Sequence, residues 1–299
     1  MTLLNLNEDL KNEFLTQFKT PINDLVNLNL IQNPCLSSIY SDEAKAVKNN
    51  HRNIILQQGR ANFDIDSDGL TALQKVDLYC FYYFQMHFTS SYIFYLNEKE
   101  FLSSQIKQKN VWFIDIGCGP FTSGFAFNSW VSKIENSGTK SINYIGIDTS
   151  QSMLNKAIKV KGKLKKDNYL NCLFTTDKFE AIDNLRNLAG APEDLLIILN
   201  YSYLFASHSL VVDDFINFTN ELINGCYVLD KSRLVIMQQN PKTDSLNNKW
   251  NLYKEMLSNL HSYETYPKLY GFKFKDALES SNYPQPTFNV KCDILKSFL

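Results

Sequence analysis

Two hydropathy patterns divide the chain. Up to about residue 105 the apolar positions recur at helical spacing. Leu10, Phe14, Leu15 and Phe18 form one stripe, and Pro21 opens a further segment at a first-turn position that tolerates proline. Asn33-Pro34 marks a break, and residues 41–58 read as a helix capped by Ser41. Residues 59–69 are polar and loop-like. A long aromatic helix is expected from about 70 to 104. After Lys109 the pattern changes to apolar runs of strand length alternating with helical segments. Strands are expected at 111–116, 142–147, 170–175, 194–200 and 232–238. The helices between them fall at 122–136, 150–165, 178–188 and 211–225. A helix at 246–262 and two weaker strands, 269–274 and 287–295, complete the chain. Leu195 to Leu199 and Val111 to Ile116 are apolar without alternation, as strands covered on both faces are. This order predicts an α/β fold: a doubly wound, mostly parallel, Rossmann-like sheet behind an N-terminal all-helical segment. The division is expected at 1–108 and 109–299.

Bulk composition changes this picture little. The 299 residues are 44% hydrophobic and 20% charged, with a net charge of −1, the profile of an ordinary globular protein. Nothing in the overall charge calls for nucleic acid. The six cysteines are scattered, without a CxxC pair or a Cys/His cluster at metal-ligand spacing, so no metal is expected. The polar, acidic N-terminus is no secretory signal, and a cytoplasmic location follows. Leu78 to Asn97 carries no charge, but Gln85, His87, Thr89, Ser90 and Ser91 interrupt it, which favours a buried helix over a membrane span. Asp64 to Gly69 matches the first half of a calcium loop, yet Lys75 stands where the loop needs a bidentate glutamate. The lysines at 156, 159, 161, 163, 165 and 166 read as a solvated helix face and turn.

The chemistry concentrates in Asp115-Ile-Gly117-Cys-Gly119-Pro, between an expected strand and an expected helix. Glycines at 117 and 119 let backbone turn sharply against a ligand. A carboxylate before them suits a cationic group and repels a pyrophosphate. The dinucleotide pattern GxGxxG fails, because Thr122 holds its last position. The next strand ends in Asp148, placed to accept both hydroxyls of a ribose, or to cap the following helix.

Together, Asp-Ile-Gly-Cys-Gly-Pro and Ile-Gly-Ile-Asp-Thr-Ser-Gln-Ser-Met-Leu resemble the class I S-adenosylmethionine-dependent methyltransferases, over about residues 109–240. Phe121 departs from the family, many of whose members carry a third glycine there. The resemblance implies that Asp115, Gly117 and Gly119 contact the methionine end of S-adenosylmethionine, and that Asp148 holds the ribose. It implies that Thr149 and Met153 line the adenosine pocket, that Asp177 receives the adenine amino group, and that Asn200 and Tyr201 face the sulfonium. Asp177 as a helix cap and Tyr201 as ordinary core are the competing readings. Tyr201 and His208 are the candidate catalytic groups, with Tyr203 as an alternative. The residues after the fourth strand, Asn200-Tyr-Ser-Tyr203, lack the proline pair of nucleobase amino-methylating enzymes. Cys226 and Cys35 do not sit where a ring-carbon methylating enzyme needs its nucleophile. A small-molecule acceptor methylated on O or N is therefore expected, ahead of RNA or protein and ahead of a non-catalytic S-adenosylmethionine-binding subunit. The aromatic residues from Phe81 to Tyr95 either line the acceptor pocket or pack the helices onto the sheet.

Overall fold

A computed structural model of the chain describes residues 2–4, 6, 8–34, 41–57, 61–134, 138–188, 194–226, 233–258, 261–274, 277–278 and 287–297. The expected Cys35 and Gly59 fall outside them. Among the described residues nine strands form one sheet: β1 (Thr2–Leu4), β2 (Asn110–Ile116), β3 (Ser141–Ile147), β4 (Asn171–Thr175), β5 (Leu195–Ser202), β6 (Arg233–Pro241), β7 (Tyr263–Thr265), β8 (Lys268–Phe274) and β9 (Phe288–Ser297). Their order is β1-β8-β9-β6-β5-β2-β3-β4, with β7 paired to β9. The pairs linking β4, β3, β2, β5 and β6 are parallel, and β9 runs antiparallel to β6, β7 and β8. Strands are added outward from β2 through β3 to β4 and then on the other side of β2 with β5 and β6, so the glycine turn lies at the switch point of the sheet, outside the carboxyl ends of its strands.

Among the described residues ten α-helices accompany these strands: α1 (Glu8–Phe14), α2 (Thr20–Asn27), α3 (Asp42–Leu56), α4 (Ala72–Asn97), α5 (Lys99–Ile106), α6 (Thr122–Val131), α7 (Gln151–Lys161), α8 (Lys178–Leu188), α9 (Val212–Cys226) and α10 (Asn248–Ser258). A π-helical turn at Leu15–Lys19 joins α1 to α2 just before Pro21, where the missing proline N–H breaks the regular ladder. Successive side chains of each strand point to opposite faces. On one face Val111, Phe113, Ile142, Tyr144, Leu196 and Ile198 meet α4, α6 and α7. On the other, Trp112, Ile114, Ile145, Leu195, Ile197 and Leu199 meet α8, α9 and α10. The N-terminal helices thus share one core with the sheet, and β1 extends the sheet itself through β8.

The long aromatic segment differs from expectation in two ways. It breaks at Glu98 into α4 and α5, and α4 is buried around most of its circumference, with no polar stripe. Phe84, Phe88 and Phe125 cluster with Phe14 at ring separations of 5.3–6.0 Å. Packing is therefore the main work of these aromatics. Among the described residues no helix is long and apolar enough to cross a membrane.

The 61–69 loop ties the helical segment to the sheet. Asp64 caps α7: its carboxylate accepts from Ser152 N at 2.8 Å, Gln151 N at 3.1 Å and the Ser150 hydroxyl at 3.0 Å. Acidic residues in the aborted calcium-like motif thus serve a helix N-terminus, where free N–H groups and the helix dipole favour a carboxylate. Asp64→Ala should lower stability by about 1 kcal/mol, the usual scale of a lost cap. A urea midpoint unchanged from wild type would remove this role. The lysine run is less solvated than expected. Lys156 is buried, donating to Asp77 at 2.8 Å and to the Gln17 carbonyl at 3.0 Å.

Candidate active site

At the carboxyl end of β2 the chain enters a left-handed turn. Gly117 has φ +68° and Gly119 φ +51°, a region that side chains rarely adopt. A Cβ on Gly117 would also lie 2.9 Å from Leu204 Cδ1. The turn is fastened to the end of β3, since Gly117 N and Cys118 N both donate to the Ile147 carbonyl at 2.8 and 3.1 Å. Phe121, in place of a third glycine, also has positive φ, +74°. Its ring is fully buried against Tyr144, with centroids 4.8 Å apart, over the bare Cα of Gly124. Buried ring area offsets a left-handed conformation that glycine would adopt freely.

Asp148 begins the turn after β3. One carboxylate oxygen accepts from Gly119 N and the other from Ser150 N, each at 2.9 Å. Burial pushes its pKa up against those two bonds. Each oxygen keeps a further lone pair for a ligand hydroxyl.

Two cavities meet at Asp148. The first, about 400 Å³, is lined by Thr176, Asp177, Phe179, Phe215 and Phe218. The second, about 460 Å³, passes over Gly117, Gly119 and Thr122 to Phe63, Tyr79, His87 and Tyr203. Gly117, Asp148, Thr149 and Leu204 line both, so the two are lobes of one cleft. Met153 lines the second lobe. Asp177 accepts from Phe179 N at 2.8 Å through one oxygen, acting as a local cap while it lines the first lobe.

Four expected residues stand elsewhere. Asp115 and Asn200 do not line the cleft. They are neighbours across β2 and β5, and the Asn200 amide donates to Asp115 at 2.7 Å while the Tyr144 hydroxyl donates at 3.0 Å. Burial raises the Asp115 carboxyl to about 7 despite these bonds. Tyr201 is on the wrong face for catalysis. Alternation along β5 sends it into the core against Phe205, Trp250 and Tyr253, where burial pushes its hydroxyl up to about 12. His208 is exposed and outside the cleft lining, and its carbonyl accepts from Lys249 at 2.8 Å.

Tyr203, the alternative to Tyr201, lines the second lobe. It leaves β5 with φ +60°, its N–H donates to the Gln239 carbonyl at 2.7 Å, and its hydroxyl donates to Ser90 on α4 at 2.8 Å. A left-handed tyrosine held at both ends is strain concentrated at a site. Its ring stacks on His87, with centroids 4.1 Å apart and planes 19° apart. Burial lowers the His87 pKa to about 3, so its imidazole is neutral at pH 7. His87 was missed from sequence because it lies within an aromatic helical run and its partner is on a distant strand. Among the described residues no three metal-binding side chains gather.

The sheet order matches the dinucleotide-binding 3-2-1-4-5 arrangement up to β6 and then departs from it, because antiparallel β9 is inserted between β6 and β8. A two-glycine turn and an acidic end to the neighbouring strand accompany it. The chain has a Rossmann-like α/β fold, a mostly parallel sheet flanked by helices on both faces. No protein-family model matches the sequence, and no curated protein matches it significantly. Among solved structures it is similar to precorrin-6y C5,15-methyltransferase from Geobacter metallireducens GS-15, at 14% identity and TM-score 0.38 over 66% of this chain and 86% of that one. It is similar also to magnesium protoporphyrin IX methyltransferase from Synechocystis PCC 6803, with bound S-adenosylmethionine, at 12% identity and TM-score 0.36 over 87% and 100%. A third is an S-adenosylmethionine-dependent methyltransferase from Aquifex aeolicus, at 10% identity and TM-score 0.36 over 67% and 89%.

Proposed function

We propose that the chain is an S-adenosylmethionine-dependent methyltransferase of the cytoplasm, acting on an oxygen or nitrogen of a small-molecule acceptor. The observation that carries this reading is the position of Asp148 at the waist of a two-lobed cleft. The ligand it suits has a flat ring on one side of a diol and a flexible, polar tail on the other. Phe179, Phe215 and Phe218 would hold the adenine between apolar faces, with Asp177 at its amino group. Asp148 would accept from the ribose hydroxyls, and the Gly117–Gly119 backbone would carry the amino-acid tail. Thr149 and Met153 would flank the ribose. S-adenosylmethionine supplies a methyl group made electrophilic by a positively charged sulfur. The protein's part is to bind, orient and keep water out, with the rings of Tyr79, His87 and Tyr203 walling the second lobe. Neutral His87 accepts a hydrogen bond from the acceptor and so aims its lone pair.

A small molecule is favoured over nucleic acid because the lysine run is partly neutralised. Lys156, Lys161 and Lys165 pair with Asp77, Asp167 and Asp9. The test is calorimetry with S-adenosylmethionine and S-adenosylhomocysteine on the wild-type protein. Binding with Kd in the micromolar range is expected, and no heat at millimolar ligand would end this reading.

A further inference from the structure

A third cavity, about 340 Å³, lies on the far side of the His87–Tyr203 pair, and both residues line it as well as the cleft. Its walls are flat and apolar: Leu56, Tyr82, Tyr83 and Met86 from the helical segment, Phe274 from the end of β8 and Phe288 from the start of β9. Its charged lining consists of Lys48 and Arg52 on α3, with no acidic side chain among the described residues. Arg52 spends one donor locally, its Nε on the Tyr83 hydroxyl at 3.0 Å. That bond fixes the plane of the guanidinium and leaves its terminal nitrogens to face a ligand. Arginine held in this way takes planar anions through two parallel hydrogen bonds.

The partition between this slot and the cleft is the stacked His87–Tyr203 pair. His87 is sandwiched between Tyr83, at 5.7 Å and 29°, and Tyr203, at 4.1 Å and 19°. Among the described residues its ring nitrogens have no hydrogen-bond partner, so stacking alone holds it across the opening. A second flat ring can replace that stacking.

Resting on the methyltransferase reading, we infer that this slot is the acceptor site and that the acceptor is a planar aromatic acid of one or two rings. Its anionic group sits on Arg52 at the mouth. Its rings lie between Tyr82, Tyr83, Met86, Phe274 and Phe288, and its nucleophilic end reaches the cleft past His87 and Tyr203. The volume fits, being near the lower end of small-molecule sites.

The probes are 6-hydroxy-2-naphthoate and its uncharged amide, titrated by fluorescence into protein saturated with S-adenosylhomocysteine. The acid should bind about tenfold more tightly than the amide, the scale of one charge-assisted fork on an exposed arginine. Arg52→Gln should erase that preference while leaving amide binding unchanged. Met86→Trp should fill the slot and abolish both, with S-adenosylhomocysteine affinity intact. Equal binding of acid and amide by the wild type, a preference that survives Arg52→Gln, or displacement of S-adenosylhomocysteine by the acid would each overturn the inference. A separate titration of S-adenosylhomocysteine alone reads the cofactor proposal, so its failure is distinguishable from failure of the slot.

Discussion

Asp148→Ala is expected to weaken S-adenosylhomocysteine binding by at least about 100-fold, because two charge-assisted hydrogen bonds to the ribose hydroxyls are lost at about 1.5 kcal/mol or more each. The substitution acts a second time through the protein. Gly119 N and Ser150 N, which Asp148 accepts from at 2.9 Å, lose their partner, and the glycine turn is no longer anchored to β3 through this side chain. Asp148→Asn separates the two effects. An amide oxygen can still accept from one of those N–H groups, so the turn is largely preserved while the charge is removed. A loss near tenfold for Asn and 100-fold for Ala is the expected pattern in calorimetry. Asp148→Ala that stays folded and binds within threefold of wild type would refute the ribose assignment. It would leave the carboxylate as a purely structural tie.

Why the parallel sheet could be read from sequence while the catalytic side could not follows from the strands. A parallel sheet covered on both faces gives apolar runs with no alternation. Such runs announce themselves, and β2, β3 and β6 begin within one residue of expectation. For the same reason they hide which face each residue takes. Nothing in Leu-Leu-Ile-Ile-Leu-Asn-Tyr-Ser says that Asn200 turns toward Asp115 and Tyr201 toward Tyr253. The register between β2 and β5 decides it, and register is a long-range property. β1 and β7 are three residues each, too short to show any period. His87 and Tyr203 become a site only when α4 lies across the end of β5. The positive-φ turn at Gly117 and Gly119 and the carboxylate of Asp148 at the end of β3 were legible because both features are local. Phe121 shows the limit of such a pattern, since it adopts the glycine conformation and is stabilised by Tyr144, Tyr169 and Phe174 around it.

Asp115 offers the largest effect on stability, and its sign can be stated. Its folded pKa is raised from 3.8 to about 7, chiefly by burial. The folded protein therefore holds a proton that the unfolded chain releases between those values. The stabilisation this gives is complete below about pH 4 and is lost as pH rises through about 7, a total of about 4 kcal/mol at about 1.4 kcal/mol per unit. Asp115→Asn has no such titration, so it cancels every other group in the comparison. Between pH 5 and pH 8 the wild type should lose about 3 kcal/mol relative to Asp115→Asn in urea unfolding. Parallel stability curves would show that the carboxylate keeps an ordinary pKa. The same titration tests whether a ligand ammonium reaches this residue. A cation nearby favours the charged form and would pull the pKa down, releasing a proton when S-adenosylhomocysteine binds near pH 6.5. Asp115 lies behind the glycine turn, bonded to Asn200 and Tyr144 and outside the cleft lining, so ligand binding is expected to leave its titration in place. Calorimetry in two buffers of different ionisation enthalpy measures that proton directly. Equal apparent enthalpies would keep Asp115 as the strut under the turn, and unequal ones that vanish in Asp115→Asn would return it to the ligand.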